Sequence, residues 1–275
     1  MHSNTRMKVP ASSLRAAVTA EPPVAPPEAE SDTELATRLA DEAGRGLLAV
    51  REYLVERGAH AWQVMDGGDT SSQRFLADEL GRVRPDDAVL SEEGLEDPRR
   101  FRGDRVWIID PLDGTREFGE PGRWDWAVHV ALWSSGGFLA GAVSLPALGM
   151  TLSTDPAPTL PEVRRDRPRL VTSRTRAPYA AAVVATALDA EAVRLGSAGA
   201  KAMSVVRGDT DIYVHDGGMY QWDSAAPAAV AQAAGLHVSR IDGSPLVYNR
   251  RDPWLPDFLV CRPEWAEPVL SALWG

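Results

Sequence analysis

Cysteine is almost absent from this chain of 275 residues: Cys261 stands alone, so no intramolecular disulfide can form and the fold need not depend on an oxidising compartment. Cys261 sits in the apolar run DFLVC and reads as a small core hydrophobe rather than a reactive thiol. No apolar run approaches the length of a membrane span, and the N-terminus lacks the apolar core of a signal peptide, so the expected location is the cytoplasm. Positive charge is also scarce. Lys and Arg number 29 against 39 Asp and Glu, a formal net charge of −10 with no concentrated basic patch, which argues against a nucleic-acid polymer or an anionic membrane as partner. His2, His60, His129 and His237 are scattered without zinc spacing and read as surface or satisfied core groups.

What remains is ordinary for a soluble globular protein: 44% hydrophobic and 25% charged residues, enough for one large core or two modest ones. Should the ligand of so acidic a chain be an anion, bound divalent cations are the commonest way to invert the local field.

Residues 1–31 combine proline, alanine and acidic residues without an apolar period, the composition of a disordered tail. Ser31 with Glu34 fits a capping box, and Leu35, Leu39, Ala43, Leu47, Val50 and Leu54 recur at helical spacing to about Arg57. After an expected loop, AHAWQVMDGGD, the segment SSQRFLADELGRV predicts a second helix that Pro85 stops. AVLSEE, VWIID, WAVHVALW and GGFLAGAVSL read as strands, the last two as a hairpin over SSGG. Proline and charge crowd residues 155–168, marking a boundary between an N-terminal half, 32–168, and a C-terminal half, 169–275. In the second half RLVTSR, AVRLGS, DIYVHD, LHVSR and DFLVC alternate with helical segments near 179–189, 199–207, 223–235 and 264–273. Such alternation implies an α/β layer arrangement with helices covering the sheet.

The stretch WIIDPLDGTREF carries an apolar run straight into Asp110 and Asp113. Taken alone, this is an acidic turn built from turn formers. Alternatively, a tight turn lets the two carboxylates converge, Gly114 permits close backbone approach, and Thr115 opens a helix whose free N–H groups suit phosphate. Two carboxylates beside such a cradle would hold Mg²⁺ and a phosphate together. Glu92 and Glu93 end AVLSEE in the same manner, although alone they could be a surface pair. Asp223, in WDSAA, begins an alanine-rich helix and alone is simply an N-cap.

GDT at 68–70, SEE at 91–93, WIIDPLDGT at 107–115, GSAGAKAMSVVRGDTDIY at 196–213 and WDSAAPAAV at 222–230 together resemble the inositol monophosphatase superfamily of Mg²⁺-dependent, lithium-sensitive phosphatases, over residues 31–275. The resemblance implies an αβαβα sandwich of the inositol monophosphatase and fructose bisphosphatase type. It implies that Glu92, Asp110 and the backbone carbonyl of Leu112 hold one Mg²⁺ that lowers the pKa of a water. Asp110, Asp113 and Asp223 would hold a second that polarises the phosphate and steadies the leaving group. Asp69 would accept the proton of a water oriented by Thr115, and a third, weaker ion would lie near Glu92 and Asp69. Glu93 has the lesser claim, because successive strand side chains face opposite ways. Family members are often homodimers.

Within the superfamily the sequence is most similar to the CysQ-type 3′-phosphoadenosine 5′-phosphate phosphatases, through VTSR at 171–174, the AGAK-to-DIY segment, and GSPLVYN at 243–249 followed by PDFLV. The resemblance implies contacts from Gly114, Thr115, Ser173, Arg174, Lys201 and His215 to an adenine nucleotide and its second phosphate. The chain departs from the usual pattern at Thr175, Arg176, Ala198 and His215, positions that bear on adenine and phosphate contacts rather than on metal. An inositol or sugar phosphatase on the same scaffold, and a catalytically silent phosphate- or metal-binding interaction protein, are the alternative readings.

Overall fold

The computed structural model describes residues 30–175 and 177–275; the expected tail, up to residue 29, and Arg176 lie outside the described residues. Helix α1 spans Asp32–Glu56. Ser31 caps it: its Oγ accepts from the Glu34 amide at 3.2 Å while Glu34 Oε2 accepts from the Ser31 amide at 2.9 Å, the reciprocal box expected from the sequence. Helix α2 spans Ala61–Val83, which corrects one expectation. The segment AHAWQVMDGGD is helical from Ala61 onwards rather than a loop. Its glycines weaken intrinsic helix propensity, but tertiary packing overrides that. A Cβ on Gly68 would stand 2.6 Å from Phe118 Cε1 and 2.8 Å from Leu112 Cδ2, so glycine is what lets this helix approach the chain around Asp113.

The first sheet has the order β1 (Ala88–Ser91), β2 (Val106–Asp113), β3 (Ala127–Ser134), β4 (Gly137–Leu145) and β5 (Met150–Ser153). Only the β1–β2 pair is parallel. Short helix α3 (Thr115–Gly119) follows β2. The second sheet takes the order β10-β12-β8-β6-β7, from β6 (Arg169–Ser173), β7 (Glu191–Leu195), β8 (Ile212–His215), β10 (His237–Ser239) and β12 (Phe258–Cys261). Helices α4 (Tyr179–Ala187), α5 (Ala198–Val206), α6 (Gln221–Ala233) and α7 (Ala266–Trp274) intervene or follow. A ribbon of β9 (Met219–Tyr220) and β11 (Trp254–Leu255), which the sequence did not announce, stands apart.

The layers follow from strand periodicity. On β2 and β3, Trp107, Ile109, Val128, Val130 and Leu132 pack with α1 and α2, whereas Val106, Ile108, Ala127 and Ala131 face α5 and α6. The opposite faces of these two helices meet Val171, Tyr213, Phe258 and Val260 of the second sheet. Leu170, Ile212, Val214, Leu259 and Cys261 then pack against α4 and α7. Every residue of β2 is buried, as expected of a strand covered on both faces. The result is a helix, sheet, helix, sheet, helix sandwich. Among the described residues no helix is long and apolar enough to cross a membrane.

Candidate active site

Asp110 and Asp113 lie an odd number of residues apart, so in a regular strand they would face opposite ways. Pairing with β3 is irregular between them: Asp110 lies opposite His129 and Asp113 opposite Ala127. This bulge resets the alternation and turns both carboxylates toward the α5 and α6 layer, a re-aiming that bulges commonly perform. Leu112, within the bulge, instead joins the α1 and α2 core. Ser72 of α2 donates its hydroxyl to the Pro111 carbonyl at 2.6 Å and pins the bulge from behind.

The carboxylate of Asp223, in the first turn of α6, completes the cluster: oxygens of Asp110, Asp113 and Asp223 lie within 4.8 Å of one another. Asp110 is fully buried; its Oδ1 accepts from the Leu112 amide at 3.1 Å and its Oδ2 has no partner. Burial first, then the charges of Asp113, Glu92 and Asp223, push its pKa well above the usual carboxylate range. Burial and the Asp113 charge raise Asp223 to about 6, although the Tyr220 amide donates to its Oδ2 at 2.6 Å.

Asp113 behaves oppositely. Burial favours its neutral form, but it is held below the ordinary value by the charge of nearby His129, the Gly199 amide and the charge of Lys201. The amides of Ala198 and Gly199 donate to its two oxygens at 3.2 and 2.6 Å, at the N-terminus of α5 where the helix dipole favours an anion. His129 Nε2 lies 3.2 Å from Asp113 Oδ2, an ion-pair distance without an aligned hydrogen bond, and Nδ1 lies 3.1 Å from the Trp222 carbonyl.

Gly114 turns the chain from β2 into α3 with φ +88°, and a Cβ there would stand 2.8 Å from Ser197 Cβ, so the position needs glycine twice over. Thr115 Oγ1 then sits 3.2 Å from Asp69 Oδ1 and 3.1 Å from the Leu112 carbonyl, its one proton serving either. Burial raises the Asp69 pKa to about 7, helped by the Glu93 charge and opposed by the Thr115 hydrogen bond. Glu92 and Glu93 follow β1 in an exposed loop rather than ending the strand. Glu92 keeps a face open to solvent while protein surrounds its others; lost hydration, then Asp223, Asp113, Glu93 and Asp69, bring it to about 7.

Clustered carboxylates with raised pKa values and an orphaned buried oxygen are a donor set that suits a divalent cation. The residues present therefore fit one.

The other expected contacts are arranged differently. Arg174 is paired with Glu117 at 2.8 Å and Glu120 at 2.7 Å. Lys201 is buried and donates to the carbonyls of Gly196 and Ser197, the latter at 2.8 Å. Burial lowers its pKa, opposed by the charges of Asp113 and Glu117. His215 lies at the end of β8 with Nε2 3.1 Å from the Gly218 carbonyl, and burial holds its pKa down, favouring the neutral ring. Ser173, half-buried, ends β6. His129 is the participant that sequence reasoning passed over. A polar residue between Ala127 and Ala131, on the strand face that turns out to meet α5 and α6, was the available signal.

Residues 29–274 match the inositol monophosphatase family. The chain belongs to that family. It is 47% identical over 255 residues, 88% of this chain and 93% of the other, to the 3′-phosphoadenosine 5′-phosphate phosphatase of Mycobacterium leprae (strain TN). Over 207 residues it is 33% identical to the 3′(2′),5′-bisphosphate nucleotidase CysQ of Escherichia coli (strain K12), covering 70% of this chain and 82% of that one. The crystal structure of CysQ from Bacteroides thetaiotaomicron, 25% identical, superposes with a TM-score of 0.67 over 83% of this chain and 96% of that one. The family is one of phosphatases, and this inositol monophosphatase family member has the layered sandwich expected from the resemblance.

Proposed function

We propose that this protein hydrolyses the 3′-phosphate of adenosine 3′,5′-bisphosphate to yield AMP, clearing the nucleotide by-product of sulfate assimilation. The observation that carries the phosphatase chemistry is the convergence of Asp110, Asp113 and Asp223 within 4.8 Å beside the Asp69–Thr115 pair. The nucleotide specificity rests on the similarity to the mycobacterial phosphatase.

In this reading Glu92, Asp110, the Leu112 carbonyl, Asp113 and Asp223 hold two Mg²⁺ ions, and Glu92 with Asp69 a third. The cations supply positive charge to the phosphate and acidify water in the cleft. Thr115 Oγ1 orients the attacking water, and Asp69 Oδ1, 3.2 Å from Thr115 Oγ1, takes the water's proton. The phosphorus–oxygen bond to the ribose 3′-oxygen breaks as the water oxygen bonds to phosphorus, and the 3′-oxygen leaves with the bonding pair and takes a proton from solvent, giving AMP and inorganic phosphate. Ser173, Arg174, Lys201 and His215 form the nucleotide side of the cleft, with Gly114 at the phosphate. Arg174 exchanges Glu120, the more exposed of its two partners, for a substrate phosphate. The same reading carries Li⁺ as inhibitor, a homodimer as the assembly and the cytoplasm as the location.

The test is phosphate release with Mg²⁺, then with added Li⁺, from adenosine 3′,5′-bisphosphate, inositol 1-phosphate and fructose 1,6-bisphosphate at matched concentrations. The nucleotide should show the highest kcat/KM, with Li⁺ suppressing turnover. A higher value for an inositol or sugar ester would overturn the substrate, and no release from any of the three would favour the silent binder.

A further inference from the structure

The β9–β11 ribbon brings Tyr220 and Trp254 directly opposite each other, so their side chains share one face. Their neighbours Met219 and Leu255 are 7% and 4% exposed, whereas Tyr220 and Trp254 remain 43% and 45% exposed. The rings form a continuous surface: Tyr220 stacks on Trp222 with centroids 4.7 Å apart and planes 13° from parallel, and Trp254 meets Tyr220 edge-on at 5.4 Å. Exposed aromatics elsewhere, such as Trp62, Tyr179 and Trp274, take part in none of these ring pairs. Contiguous apolar surface left open to water marks a binding site more often than scattered residues do.

This surface is fixed to the catalytic carboxylates. The Tyr220 amide holds Asp223 Oδ2 at 2.6 Å, so the backbone that carries this ring is anchored at the cluster. Gln221 donates to the Pro253 carbonyl at 2.9 Å, and its side-chain oxygen accepts from the Asn249 amide at 2.6 Å, which ties the loop before β11 to the start of α6. Trp254 packs closely on Gly218, where a Cβ would fall 1.9 Å from its ring, so only glycine leaves room for the indole there. Nearby Asp223 and Glu92 repel any anion that is not neutralised by cations, which suits this surface to the uncharged part of a substrate. A planar heterocycle is the chemistry that open aromatic faces recognise.

Building on the bisphosphate reading above, we propose that Tyr220 and Trp254, whose planes stand 81° apart, form an aromatic corner for the purine base, which stacks on one ring and meets the other edge-on, and that they act as specificity-determining residues. They favour a nucleotide over base-free phosphate esters. Arg174 and Lys201, already paired within the protein, are not needed to hold the base.

The experiment compares the Mg²⁺-loaded protein with Trp254→Ala, Tyr220→Ala, Trp254→Phe and Tyr220→Phe. Two readouts are taken: kcat and KM for adenosine 3′,5′-bisphosphate and inositol 1-phosphate, and the affinity for AMP by tryptophan fluorescence and calorimetry. Melting curves select folded variants. The expected result is an increase of about tenfold or more in nucleotide KM and AMP Kd for the alanine variants, the size of effect that losing a stacked base has. The increase should be several-fold smaller for inositol 1-phosphate, with near-normal values for the phenylalanine variants. Equal losses on both substrates, unchanged AMP affinity, or no AMP binding by the parent protein would overturn the aromatic corner. Preference of the parent for inositol 1-phosphate together with ring-dependent AMP binding would overturn the substrate reading alone.

Discussion

His129 joins the two halves of the carboxylate cluster, with Nε2 3.2 Å from Asp113 Oδ2 and Nδ1 3.1 Å from the carbonyl of Trp222, the residue before Asp223. It is fully buried, and the Asp113 charge keeps its pKa above the usual histidine value although burial acts against that. The imidazole therefore sets where two proposed metal ligands stand relative to each other. His129→Ala should destabilise the fold by about 3–5 kcal/mol, the range for stranding one member of a buried charge pair. His129→Asn, which keeps a polar group there, should retain more stability. In folded protein both should weaken Mg²⁺ binding by roughly 10–100-fold, as loss of an outer-shell partner does. Denaturant unfolding and calorimetric Mg²⁺ titration check the two parts separately, and Mg²⁺ affinity unaffected in both variants would refute the role.

Burial, reinforced by charge repulsion, predicts an unusual pH dependence for metal-free protein. Asp110 titrates well above its ordinary value, Asp223 at about 6, and Glu92 and Asp69 at about 7. Each binds its proton more tightly folded than unfolded. Well below about pH 4 both states are protonated and these groups neither add nor remove stability. As pH rises the unfolded chain ionises first, so stability falls toward pH 7. Asp113, held below its ordinary value, changes only at more acidic pH and lies outside this window. Melting temperature in a chelator should therefore decline between pH 4.5 and 7, and millimolar Mg²⁺ should restore it increasingly as pH rises. A flat chelator profile would contradict the raised carboxylate pKa values.

Two glycines on α2 should respond in opposite directions. Gly68→Ala places a methyl 2.6 Å from Phe118 Cε1 and should cost about 1–3 kcal/mol by overpacking, while moving Asp69 away from Thr115. Its kcat should fall more than its KM changes. Gly81→Ala meets nothing within 4 Å and should stabilise the helix by about 0.5–1 kcal/mol at normal activity. Thermal melts and steady-state kinetics distinguish the pair.

Asp113→Asn changes little in volume but removes a charge at the N-terminus of α5. Phosphate release should be abolished and Mg²⁺ affinity reduced. Undiminished release would remove Asp113 from the proposed metal site.

Much of the sandwich was legible because its determinants are local. The Ser31–Glu34 box, the helical period after it and the two-faced apolar strands need no tertiary information. The start of the helix from Ala61 looks like a loop in sequence because Gly67 and Gly68 suggest a break; only contact with Phe118 and Leu112 explains the glycine at position 68. The carboxylates were visible as types, but their convergence depends on the bulge between Asp110 and Asp113, which pairing with β3 creates. Glu117 and Glu120 lie more than fifty positions from Arg174, so no spacing rule could reveal that they hold it. The β9–β11 ribbon is too short to carry a period.

The alanines of α6 act as a ruler. Ala225, Ala226, Ala228, Ala229 and Ala231 are almost wholly buried between the sheets, and a methyl added to Gly141 of β4 would lie 2.6 Å from Ala229 Cβ. The helix that carries Asp223 is thus set against the sheet that carries Asp110 and Asp113 at the smallest distance side chains permit. A larger residue anywhere along that seam would lengthen the gap across the carboxylates, so a change far from the cleft in sequence could detune cation binding without touching a ligand.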